Sequence, residues 1–131
     1  MARGRGEVRC FEADVVDEGS GEVVDELREL RLVCELPGGG WLYVDFEDGE
    51  LLYGATPEDA YAAHVERVLQ RARRGAEEEL GRAEELRRRG DEERARYSEV
   101  RAAEYREWER ELAGLLRGLE SGRVRVRPLA P

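Results

Sequence analysis

Between Glu7 and Tyr53 hydrophobic positions recur at every second residue, and between Pro57 and Glu120 they recur every three or four. The first period is that of a half-buried strand and the second that of an amphipathic helix. Turn signals at Glu18–Glu22, Pro37–Gly39 and Asp48–Gly49 divide the first segment into four short strands. The first strand places Val8, Cys10 and Val16 on one side. If Asp17 faces Val23, Cys10 lies opposite Leu30, Val8 opposite Leu32 and Glu12 opposite Arg28. The three-residue loop Pro37–Gly39 then sets Cys34 against Leu42, Leu32 against Val44 and Leu30 against Phe46. A two-residue turn at Asp48–Gly49 brings Phe46 near Leu51 and Val44 opposite Tyr53.

All three turns leave the same face apolar, so that face is the expected core side of an antiparallel meander. The opposite face carries Arg9, Phe11, Ala13, Glu29, Arg31, Val33, Trp41, Tyr43 and Asp45. It is mostly polar, and Trp41 and Tyr43, with Phe11 and Val33, form a candidate contact patch on it.

The helical segment has its own punctuation. Thr56 can cap a helix that has Pro57 in its first position and Glu58 and Asp59 in its first turn. Tyr61, Val65, Val68, Leu69, Ala72, Ala76, Leu80, Ala83 and Leu86 follow at helical spacing. Arg87, Arg88 and Arg89 then meet the negative end of the helix, Gly90 offers a left-handed cap, and Asp91 can open a second helix. That helix runs to about Glu120 and ends in an alternating strand around Val124 and Val126, closed by Pro128. Folding back at Gly90 sets Leu80 against Val100, Ala72 against Trp108, Val68 against Leu112, Val65 against Leu115 and Tyr61 against Leu119.

The expected architecture is α+β in a single domain, residues 1–131. Residues 7–53 form the four-stranded meander, residues 57–120 a coiled-coil-like antiparallel helical hairpin, and residues 122–128 a last strand. A helix of about 32 residues is about 48 Å long. Strands of six or seven residues reach only about 20–23 Å. The far half of the hairpin therefore overhangs the sheet and needs cover for Leu80, Leu86, Tyr97 and Val100.

Charge sharpens this picture. Residues 12–60 hold fifteen acids and two arginines, whereas residues 61–131 hold seventeen arginines and fifteen acids. An acidic strand half repels phosphate and argues against nucleic acid on that face. Lys, Ile and Asn are absent, which the codon usage of a GC-rich genome explains. No apolar run approaches the roughly 20 residues that cross a bilayer. With two cysteines and no apolar core behind Arg3 and Arg5, the expected location is the cytoplasm, with Cys10 and Cys34 as buried thiols about 13 Å apart.

No residue pattern supports catalysis, a cofactor or a metal. Asp45, Glu47, Asp48 and Glu50 are dense but lack calcium-loop spacing. Glu12 and Asp14 share a strand face with no His or Lys near them in sequence, and His64 flanks the buried stripe of the first helix.

The stretch Gly54-Ala55-Thr56-Pro57-Glu58-Asp59-Ala60 resembles the strand-to-helix junction of HicB-type antitoxins, a family with a small sheet that binds a small RNase toxin. Gly54, Thr56, Glu58, Asp59 and Ala60 fit that entry. The Pro-x-Leu-Pro-Gly-Cys segment that precedes it in the family is absent, and the helical hairpin has no counterpart there.

The expected function is a non-enzymatic protein-interaction or assembly module, self-associating as a homodimer through its long helices. The alternative is a small regulator or antitoxin-like protein that binds nucleic acid, or a partner directed to it, through Arg87–Arg89 or the arginine-rich ends of the chain.

Overall fold

The computed structural model describes residues 6–24 and 31–129. Five strands and two helices follow in the order β1 (Arg9–Asp17), β2 (Leu32–Glu35), β3 (Trp41–Asp45), β4 (Glu50–Gly54), α1 (Pro57–Arg88), α2 (Glu92–Ser121) and β5 (Val124–Pro128). The chain divides into two compact units, Met1–Glu66 with Leu115–Pro131, and Arg67–Gly114.

In the first unit the sheet is antiparallel with strand order β4-β3-β2-β1-β5. The meander is thus as expected, and β5 adds a fifth strand beside β1. The β2–β3 register also matches, with Leu32 opposite Val44 and Cys34 opposite Leu42.

The other two registers differ. Val16 bridges Val23 just past the turn, but β1 then pairs Cys10 with Cys34 and Glu12 with Leu32. The bridge and the β1–β2 ladder are thus two separate pairings of β1 rather than one continuous register. The expected partners Leu30 and Arg28 lie outside the described residues. Cys10 and Cys34 therefore stand directly opposite each other and form a disulfide, which corrects the expectation of separate thiols.

At the β3–β4 turn Val44 faces Leu51 rather than Tyr53. Asp45 is the cause: its Oδ1 accepts from the Glu47 amide at 3.0 Å and the Asp48 amide at 3.3 Å. The Gly49 amide returns to the Asp45 carbonyl oxygen at 2.8 Å, closing a four-residue loop instead of a two-residue one.

The larger correction concerns which face is covered. Both register changes preserve strand parity, yet Ala13, Val15, Val33, Tyr43, Val124 and Val126 are buried while Val8, Phe46, Leu51 and Tyr53 are exposed. The helix start packs on the face expected to meet solvent. Gly54 shows why, since a Cβ there would stand 2.2 Å from the Ala60 backbone nitrogen. The first turn of α1 comes down on the one position of that face that has no side chain.

The polar residues of the covered face are accommodated from within. Arg31 donates to the Val24 carbonyl oxygen at 3.0 Å, and its guanidinium lies 5.9 Å from the centre of the Tyr61 ring. Asp45 sits 3.5 Å from His64 Nδ1, and the Tyr43 ring stacks between 4.5 and 5.3 Å from His64 and Tyr61. At the other edge Glu58 Oε2 accepts from the Val126 amide at 2.8 Å and pairs with Arg125 at 3.3 Å. Arg123 pairs with Asp17 at 3.2 Å, tying β5 to the acidic β1.

In the second unit the caps are those the sequence calls for. The turn is a Schellman motif, with the Asp91 amide on the Leu86 carbonyl, the Gly90 amide on the Arg87 carbonyl and Gly90 at φ +81°. Asp91 Oδ1 then caps the Arg94 amide at 3.1 Å. Ion pairs Arg73–Glu109, Glu79–Arg101 and Arg87–Glu99 join the two helices.

The buried residues of this unit are mostly small, among them Ala72, Ala76 and Ala83 from α1 with Ala95, Ser98 and Ala102 from α2. Leu80 and Val100, expected to face each other in the seam, are both exposed. The small residues are thus the buried ones here, and these larger side chains lie outside them.

Candidate interaction surfaces

Among the described residues each unit presents a candidate surface, apolar on the sheet and mixed aromatic and charged on α2. On the sheet, the outward face of β4, β3 and β2 carries Leu51, Tyr53, Leu42, Val44 and Leu32, with the Cys10–Cys34 bridge beside them. Leu51 and Tyr53 are 60% and 62% exposed. The face read from sequence as core thus leaves Leu51 and Tyr53 exposed, with Leu32, Leu42 and Val44 half-buried beside them.

The second surface is an open groove of about 360 Å³ along α2, lined by Tyr97, Arg101, Glu104, Tyr105 and Trp108. Tyr97 is 64% exposed, and Val100 is 59% exposed on the same helix. Arg101 is held in place from three directions. The Tyr97 and Tyr105 side chains beside it raise its pKa further, and Glu79 Oε2 lies 3.2 Å from its Nε. Tyr105 in turn lies over Gly75, where a Cβ would come within 2.6 Å of its ring.

The residues singled out from sequence distribute unevenly over these surfaces. Tyr97 lies in the groove, while Leu80 and Val100 are exposed and Leu86 is half-buried. Trp41 is half-buried, its ring centre 6.3 Å from that of Phe11. Tyr43 is 1% exposed and belongs to the core with Tyr61 and His64, so it offers no surface to a partner. Trp108, expected against Ala72 in the helix–helix seam, lines the groove instead, together with Tyr105 and the charged Arg101 and Glu104. The 4-3-4 spacing of Tyr97, Arg101, Glu104 and Trp108 is the available signal.

The three arginines at the end of α1 are engaged locally. Arg87 grips Glu99 through two hydrogen bonds of 2.6 and 2.9 Å and reaches Glu92 at 3.3 Å. Those bonds raise the Arg87 pKa and lower that of Glu99. Arg88 pairs with Glu85 and Glu84, and Arg89 with Glu85.

Among the described residues no three His, Cys, Asp or Glu side chains converge as metal ligands. No helix is long and apolar enough to cross a membrane. No family model, curated protein or solved structure matches the chain.

Proposed function

We propose that the chain is a non-enzymatic assembly module that binds a second copy of itself through its long helices, which form an antiparallel hairpin of the coiled-coil type. The observation that carries this reading is the outward placement of Tyr97 and Val100 on α2, while the smaller Ala95, Ser98 and Ala102 of the same stretch are buried. Large apolar side chains outside a seam of small ones are what a further helix would cover.

Charge selects which surface meets a second copy. Residues 12–60 are strongly acidic, so two such sheets would repel, whereas residues 61–131 balance seventeen arginines with fifteen acids. The apolar sheet face suits a different, less acidic protein partner. The carboxylates beside Arg87, Arg88 and Arg89 compensate that cluster, which weighs against a phosphate contact there. The Cys10–Cys34 bond favours an oxidising compartment over the cytoplasm.

Light scattering over a micromolar concentration series tests the proposal. A mass of twice 14.9 kDa that falls on dilution supports it, and a monomer throughout overturns it.

A further inference from the structure

The α2 groove has a two-fold pattern written into it. Tyr97, Arg101, Glu104 and Trp108 follow one another at spacings of four, three and four, the rhythm of a helix-pairing seam. Read in either direction the seam is aromatic, charged, charged, aromatic, with the two charges opposite in sign.

We infer that α2 pairs antiparallel with α2 of a second copy, about a two-fold axis passing between Ala102 and Ala103. This rests on the self-association proposed above and gives it an orientation and a register. In that register Arg101 meets the partner's Glu104, and Tyr97 meets the partner's Trp108. Each contact recurs on the other side of the axis, as an isologous interface requires. A parallel pairing in register would instead set Arg101 against the partner's Arg101 and Glu104 against the partner's Glu104, and like charges at two adjacent layers exclude it.

The groove is prepared for that contact. Arg101 is already held by Glu79 at 3.2 Å and lines the groove with Tyr97 and Tyr105, so little side-chain freedom is lost when an acid arrives. Glu104 is exposed, and no described side chain pairs with it, so its charge is available. Arg101 and Glu104 both lie between the two aromatic ends of the groove, where excluding water strengthens a charge pair.

The test uses the full chain as wild type, as Glu104→Arg and as Arg101→Glu, with the two variants also mixed in equal amounts. Each variant alone places like charges across the axis, and its dimer should weaken by tenfold or more in sedimentation equilibrium. In the mixture one copy carries arginine at both charged positions of the seam and the other carries glutamate at both. Opposite charges then meet again across the axis, so the dimer should return as a heterodimer, identified by native mass. Glu104→Arg changes only an exposed, unpaired position, so its loss of dimer does not reflect misfolding. Variants that dimerise like wild type, or a mixture that stays monomeric, overturn the antiparallel register while leaving self-association standing. A wild type that is monomeric at every concentration overturns the assembly reading itself.

Discussion

The ring of Tyr105 on α2 occupies the space over Gly75 on α1, so closely that a Cβ added at Gly75 would stand 2.6 Å from its Cε1. Glycine inside a helix ordinarily costs about 1 kcal/mol relative to alanine. Here it makes room for an aromatic side chain that also lines the groove. Gly81, six residues further along the same helix, has nothing within 4 Å of its added Cβ. The two glycines should therefore respond oppositely to alanine. Gly81→Ala should stabilise by about 0.5–1 kcal/mol through helix propensity alone. Gly75→Ala should destabilise by about 1–3 kcal/mol because the ring must move. Chemical denaturation of both variants checks this, and a stabilised Gly75→Ala would mean that Tyr105 is not seated on α1.

Gly90 offers a second test of the helix turn. Its φ of +81° lies where a side chain is strained, and its amide and that of Asp91 close the end of α1. Gly90→Ala should cost about 1 kcal/mol. A single uninterrupted helix through this point would gain a similar amount from the same change, so the sign of the shift in a denaturant melt decides between them.

The elements whose caps lie next to each other in the sequence were legible before the structure. Thr56 accepts from the Asp59 amide at 3.1 Å, Asp91 caps α2, and Gly90 takes the left-handed position, each as the local residues dictate. The β2–β3 register was legible for the same reason, since three residues fix that loop. The choice of sheet face was not. Counting apolar residues favoured the face with Leu42, Val44 and Leu51, because Arg31 and Asp45 on the other side looked like solvent residues. Their partners come from distant positions: Tyr61 stacks on Arg31, and His64 approaches Asp45. Gly54 was the overlooked local sign, a gap in one face through which the helix could approach. The groove is less legible for a related reason: Trp108 is large and apolar and is expected against Ala72, whereas it lines the open groove on α2.

The disulfide yields a third prediction. Intact mass after alkylation without reductant should show no free thiol, because Cys10 and Cys34 are bonded to each other. Closing a loop of 24 residues' separation restricts the unfolded chain, so replacing both cysteines with alanine should cost about 2–4 kcal/mol. Two alkylated cysteines in the native, oxidised protein would show that the strands do not hold them opposite each other.

The last prediction concerns acid. Glu99 is held below the ordinary carboxylate value mainly by its hydrogen bond from Arg87, and Glu109 by hydrogen bonds from Arg73 and then Arg106. On β1, Asp17 is lowered chiefly by Arg123. A carboxyl whose folded pKa is depressed binds its proton more readily in the unfolded chain. Its contribution is complete above the ordinary value and is lost as pH falls through the depressed one. Thermal stability should therefore be flat near neutrality and decline below about pH 4.5. The arginine partners are well exposed, so the decline should be shallow and should shrink further in high salt. Combining Glu99→Gln with Glu109→Gln removes two of the three groups, and the variant's melting temperature should vary less with acid than the wild type's. If the doubly substituted protein loses stability with falling pH as steeply as the wild type, the helix-bridging pairs with Arg87 and Arg73 do not form in solution.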